Sequence, residues 1–268
     1  TKNISTPTFP HSSTFPERIS TAAETYVDGE EGFIAIRDAL LTARHSIYIS
    51  DWFFSPELYL TRDKAGHFDD QLKALLERKA KEGVKIHIML WNETKIVLPL
   101  NSEKVQKSLE KIDGIIVLRH PLVDPMKWSH HQKIVVVDQQ VALLGGLDLC
   151  FGRWDTQTHP IMDTAHHIFV GKDYYNPVVA GFGQYQAWNE DPFDRHQHPR
   201  MGWHDIHVKI QGQAAWDVSR NFIERWNHAR LKLERSEVPF LYPQRSTHQS
   251  IYTGSCKVQV VRSLGHWH

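Results

Sequence analysis

His131, Lys133 and Asp138 stand in the pattern H-x-K-x4-D within WSHHQKIVVVDQQVALLGGLDLCFGRWD, Trp128 to Asp155, and Gly145, Gly146 and Asp148 follow as G-G-x-D. An imidazole can attack phosphorus or protonate a leaving oxygen, and an ammonium can hold the non-bridging oxygens of a phosphodiester where charge develops. If Lys133 to Asp138 is a strand, His131 and Lys133 are two apart and project to one side. Asp138 lies an odd number of residues from His131, so it falls on the other side and supports the local fold. The paired glycines let the backbone approach a neighbour or ligand closely.

Taken alone, a His and a Lys at a strand start are usually solvated surface groups. Chance decides against that here. With 18 His, 16 Lys and 17 Asp in 268 positions, random placement yields about 0.07 such patterns per chain, and two glycines at a fixed offset bring that to on the order of 0.0002.

The elements that must position these residues are legible by period. FIAIRDALLTA, Phe33 to Ala43, has helical spacing. Ser46 to Phe54 is β-branched and aromatic and reads as a strand. An amphipathic helix over Asp69 to Glu82 ends at Gly83, a C-cap glycine, and the strand Val84 to Leu90 follows. A helix over Asn101 to Ile112, with Asn101 as N-cap, leads to the strand Gly114 to His120. Lys133 to Asp138 and Val141 to Gly146 form a hairpin across Gln139-Gln140, a poor tight-turn pair. Phe151 to Asp205 is a long irregular stretch, Gln213 to His228 a helix and Lys257 to Ser263 a strand. The β-α-β-α-β order predicts an α/β fold, a layered α-β-α half with a mixed, largely parallel sheet. Residues 1–30 are expected as an N-terminal linker or loop and 31–268 as the catalytic unit. The Ser-, Thr- and Pro-rich start without Met suggests a chain that begins inside a longer protein.

Composition narrows the function classes. The formal net charge is zero, which does not favour nucleic acid as a partner. Two cysteines far apart make no disulfide framework and suggest a reducing compartment. No apolar run approaches the ~20 residues of a membrane-spanning helix. No Gly-rich nucleotide loop or Ser-His-Asp order stands out. His166-His167 near Asp163 lacks the spacing of a helical zinc pair and reads as loop. Asp51-Trp52-Phe53-Phe54 could line a lipid entrance, though core strand is favoured. Trp203-His204-Asp205 reads equally as pocket wall or as a hydrogen-bonded structural pair. The aromatics of the 213–228 helix have ordinary core spacing.

The segment around His131 resembles the first catalytic motif of the phospholipase D superfamily, closest to the eukaryotic phosphatidylcholine-hydrolysing enzymes, whose pattern runs W-x-H-H-x-K-x-V-V-x-D, G-G-x-D-L and G-R-[WY]-D. YISDWFFSPE (Tyr48 to Glu57), GRWD (Gly152 to Asp155), GKDYYNP (Gly171 to Pro177), PRMGWHDI (Pro199 to Ile206) and AAWDVSRNFIERWN (Ala214 to Asn227) extend the likeness over roughly 33–262. The resemblance implies two such motifs meeting across a pseudo-two-fold axis, a phosphohistidine on one His, acid–base work by the other, and no metal or other cofactor in that chemistry. Carried over, His131 is the nucleophile or its acid–base counterpart, with the nucleophile favoured. Lys133 holds phosphate, Asp138 is the motif's acidic member, and Lys133, Gly145, Gly146 and Asp148 are expected to meet substrate. Many superfamily members carry Ser and Asn at Gly146 and Asp148. An ionised Asp cannot donate to phosphate as Asn can. A second motif is missing. His207-Val208-Lys209 begins one, but Ala214 stands where its Asp belongs. The resemblance therefore implies a half that hydrolyses phosphatidylcholine to phosphatidic acid and choline when a second half is supplied, with a phospholipid surface as partner and a cytoplasmic, peripheral location. The alternatives are a single-motif homodimeric phosphodiesterase or nuclease, and a non-catalytic phosphoryl-binding fragment.

Overall fold

The computed structural model describes residues 14–62, 68–93, 100–123, 128–164, 168–180, 187–191, 193–244 and 254–263. In chain order the described elements are β1 (Arg18–Val27), α1 (Asp28–Thr42), β2 (Ser46–Asp51), β3 (Tyr59–Arg62), β4 (Phe68–Gln71), α2 (Leu72–Lys81), β5 (Lys85–Leu90), α3 (Ser102–Leu109), β6 (Ile115–Arg119), β7 (Ile134–Val137), β8 (Val141–Gly145), α4 (Pro177–Ala180), β9 (Ile206–Gln211), α5 (Gln213–Lys232) and β10 (Cys256–Val258).

Eight strands form one sheet in the order β10-β1-β9-β8-β7-β2-β5-β6, and β3 pairs with β4 in a separate ribbon. β2, β5 and β6 are mutually parallel, and the remaining ladders are antiparallel. Following those pairings, β1, β2, β5, β6 and β8 run one way, five of the eight strands. The sheet is mixed and of the expected α/β class.

Strand alternation sorts the core into two layers. Ile47, Ile49, Ile86, Ile88, Val135 and Val137 face α1, α2 and α3, meeting Phe33, Ile36, Leu40, Leu72, Leu76 and Leu109. Tyr48, Met89, Leu118, Ile134 and Val136 face the opposite side, where α5 lays down Val218, Phe222 and Trp226 at four-residue spacing. Tyr48 stacks on Phe222 with ring planes 6° apart. Each such apolar side chain contributes about 1.5–3 kcal/mol by leaving water. A strand with both faces covered reads as a continuous apolar run, and all six residues of β2 are buried.

Several expectations need correction. Residues 18–30 are not linker: β1 pairs along its length with β9, and Asp28 opens α1. Asp69 to Gln71 belongs to β4, so α2 starts at Leu72. Asn101 occupies the N-cap position of α3 in the left-handed region and makes no side-chain cap. The carboxylate of Glu93 does that work instead, accepting from the Ser102 backbone N–H at 2.9 Å and from the Ser102 hydroxyl, with its charge at the positive end of the helix. Gly83 does stand just past α2 with φ +92°, where a side chain would be strained. The β7–β8 hairpin forms as expected, but its turn centres on Asp138 and Gln139, both at positive φ, the twist that a tight hairpin needs.

Candidate functional site

The carboxyl ends of β2 and β5, the amino end of β7 and the carboxyl end of β8 converge at one edge of the sheet, the usual place for a ligand in an open α/β sheet. Ser50 pairs with Ile134, and Ile134 with Leu144. These registers bring Asp51 and Trp52, the segment 130–133, and residues 145–148 side by side.

The residues before β7 divide their directions. His130 is buried, with its Nε2 3.2 Å from the Ser50 hydroxyl. Gln132 accepts a 3.0 Å hydrogen bond from Asn221 of α5. His131 is exposed and lies edge-on to Trp52, ring centroids 5.3 Å apart. The Lys133 ammonium sits 5.4 Å from the centre of the same indole. His131 and Lys133 therefore share one side, although both precede the strand. Trp52 is itself backed by Trp91, stacked at 5.6 Å. The expectation that Trp52 belongs to core strand is corrected: Asp51 and Phe54 are buried, and Trp52 lines the site.

Lys133 is buried and pairs with Asp148 at 2.8 Å. Asp148 also accepts from the Phe53 backbone N–H and stands 3.5 Å from Arg153. Asp148 is thus the counter-ion of Lys133, which sets aside its expected role as a substrate ligand. A buried ammonium needs such a partner. Beneath it, Asp51 accepts from the backbone N–H of Trp52 and of Leu149. Burial, then the neighbouring Asp148 charge, pushes the Asp51 carboxyl well above the usual carboxylate range. The cluster sets the two cations Lys133 and Arg153 against Asp148 and against an Asp51 carboxyl whose charged form burial disfavours.

Sequence reasoning missed Arg153 as a site residue. Its guanidinium lies 3.6 Å from the centre of the Trp203 ring, and its Nη1 has no hydrogen-bond acceptor among the described residues. The only signal was its place in GRWD. Desolvation, then the charges of Lys133 and Arg153, hold His131 below the ordinary 6.5, so at neutral pH the ring carries a free lone pair. A neutral imidazole beside two cations is what an attacking base facing a phosphate anion requires.

The other expected site residues lie elsewhere. Asp138 is at the far end of β7. Its carboxylate accepts from the backbone N–H groups of Arg44, His45 and Ser46 at 2.7–2.9 Å, so it closes the α1–β2 turn and does not meet His131. A cleft of about 730 Å³ opens at that end, lined by Arg44, His45, Lys79 and Asp138 among others, and it contains neither His131 nor Lys133. Gly145 and Gly146 face β9. A Cβ on Gly145 would strike the Ile206 carbonyl and His207, and one on Gly146 would strike the Asp205 carboxylate. They permit close approach of β8 to β9, which corrects their expected contact with substrate. Asp163 binds Arg195 at 3.2 Å and the Phe169 N–H, while His166 and His167 lie outside the described residues. Trp203 and Asp205 are joined by a 3.2 Å hydrogen bond, and Trp203 also backs Arg153.

Fold and cluster together define an α/β protein with His131, Lys133 and Arg153 gathered at one end of its sheet. A family model, Phospholipase D, matches residues 39–267, and the chain belongs to that family. It is 41% identical over 254 residues to Phospholipase D A of Dictyostelium discoideum, covering 94% of this chain and 20% of that protein. It is 42% identical over 247 residues to Phospholipase D zeta 2 of Arabidopsis thaliana, covering 89% and 23%. Against Phospholipase D2 of Bos taurus it is 36% identical over 294 residues, covering 96% and 31%. The chain thus spans between a fifth and a third of the length of these relatives. Among solved structures, NucT from Helicobacter pylori superposes with a TM-score of 0.47 at 9% identity, over 77% of this chain and 96% of that one, too loosely to bear on the site.

Proposed function

We propose that this chain, with β1 as part of the unit, is one catalytic half of a phosphodiesterase that hydrolyses glycerophospholipids, releasing choline from phosphatidylcholine and leaving phosphatidic acid. One observation carries the proposal: a neutral, exposed His131 and a buried Lys133 ammonium meet on one Trp52 ring, with Arg153 beside them. His131 attacks phosphorus, the phosphorus–choline oxygen bond breaks, and a second imidazole protonates the leaving oxygen. That imidazole then takes a proton from water, whose oxygen displaces His131 from phosphorus. Lys133 and Arg153 hold the charge on the non-bridging oxygens. Asp148 keeps Lys133 in place and Asp51 braces the loop behind it.

The second imidazole comes from a matching half, on the same longer chain or a partner. No described helix is long and apolar enough to cross a membrane. The substrate is reached peripherally, at a cytoplasmic lipid surface. The test is choline release from phosphatidylcholine vesicles with the second half of a related phospholipase D supplied in trans. Activity is expected with wild-type chain and absent with His131→Ala. Activity that survives His131→Ala, in a chain shown to be folded, overturns the proposal.

A further inference from the structure

Asp28, at the β1–α1 junction, has φ +66° and a wholly buried carboxylate. Its Oδ1 accepts from the Asp205 backbone N–H at 2.9 Å and lies 2.8 Å from His204 Nδ1. Its Oδ2 is sealed from solvent and has no hydrogen-bond donor among the described residues. The nitrogen nearest to it in an ion-pair geometry is His159 Nε2, 3.3 Å away but not aligned as a donor. Leaving a carboxylate oxygen dry and unpartnered is costly. A cation between Oδ2 and the two rings removes that cost.

The geometry suits a metal ion. One ligand atom each from Asp28, His159 and His204 can be chosen so that all lie within 4.8 Å of one another. Zinc bonds of about 2.0–2.1 Å place tetrahedral ligands about 3.4 Å apart, close to the separation of His159 Nε2 from Asp28 Oδ2. His204 is 72% exposed at its side chain, so its ring is free to turn inward. His159 Nδ1 stands 3.2 Å from Asp155 Oδ2 without being aligned as a donor to it; a small turn of the ring on metal binding brings the two into line, and an outer carboxylate behind a ligating imidazole orients it and raises its basicity. Asp155 is fixed in turn by Arg200 at 2.9 Å and by the Trp203 N–H at 2.8 Å.

We propose that Asp28, His159 and His204 form a binding site for a divalent transition-metal ion of the zinc class, with a fourth position left to water. Two imidazoles and one carboxylate are a borderline-soft donor set that favours zinc over magnesium or calcium. The site shares no residue with the His131, Lys133 and Asp148 cluster. It ties the start of α1 to the irregular segment 151–205, and through Trp203 to Arg153.

The experiment uses the whole chain, stripped with a chelator and titrated with zinc by calorimetry. Cobalt(II) serves as a coloured substitute whose visible bands report coordination number. One equivalent of zinc is expected, with a rise in the thermal midpoint. His204→Ala, at an exposed side chain, and His159→Ala are each expected to weaken binding at least ~10-fold, and His45→Ala at the opposite end of the sheet to leave it unchanged. Absence of zinc binding by the folded wild-type chain overturns the proposal. So does equal binding by wild type, His159→Ala and His204→Ala.

Discussion

Lys133 and Asp148 are both buried and 2.8 Å apart, and that pair fixes the electrostatics of the site. Removing one partner strands the other charge. Asp148→Asn is expected to destabilise the chain by about 3–5 kcal/mol, while Lys133→Met with Asp148→Leu recovers most of that loss at the expense of phosphate binding. Urea unfolding of the single and double variants measures both, and a cost below about 1 kcal/mol for Asp148→Asn removes the pair from the account. His131 supplies the second test at this scale. Its pKa lies below 6.5 because partial desolvation on the side facing Trp52 and the adjacent cations disfavour the imidazolium. The ring therefore stays neutral as pH falls through 6.5, and protonates only further down. An NMR titration assigned by comparison with His131→Ala is expected to show a midpoint below 6.5. A midpoint above 6.5 means that Lys133 and Arg153 do not face the ring as described.

Among elements, β7 separates two jobs that the linear motif writes together. Its amino end delivers His131 and Lys133, and its carboxyl end delivers Asp138 to the backbone of Arg44, His45 and Ser46. Asp138→Ala is expected to lower stability by about 1–2 kcal/mol, since water replaces part of what the partly exposed N–H groups lose. Phosphodiesterase activity per folded molecule should stay within about two-fold at a temperature well below the unfolding midpoint, a change worth under about 0.5 kcal/mol in barrier. Melting curves and choline release on the same sample decide it, and abolished activity at full folding returns Asp138 to the site. β2, β5, β6, β7 and β8 are legible in the sequence because their apolar runs are hard to mistake. β1 escaped because Thr21, Glu24 and Thr25 interrupt any apolar run, and β9 because His207, though buried, reads as polar. Arg153 escaped for a different reason. Asp148 is near it in sequence, but the Trp203 ring that holds its guanidinium lies fifty residues away, and no periodicity links them.

For the whole molecule the deciding feature is which imidazoles among the described residues stand at the Lys133 end of the sheet. His130 is buried against Ser50 and held well below its ordinary pKa by desolvation and neighbouring charges. It cannot serve as the leaving-group acid, and His131 cannot be nucleophile and acid in the same step. The mechanism proposed above draws its acid from another half, and the concentration dependence of the rate says which. If the half is supplied by a second copy of this chain, choline release per chain rises with chain concentration until dimers dominate, and mixing His131→Ala into wild type lowers it more than in proportion. If the half comes from a longer parent chain, this chain alone releases no choline at any concentration, and activity appears only with the second half in trans. The second outcome is expected, because the chain spans only between a fifth and a third of the length of the relatives named above. A rate per chain that is measurable and independent of concentration in a strict monomer removes the need for a second imidazole altogether, and with it the two-histidine mechanism.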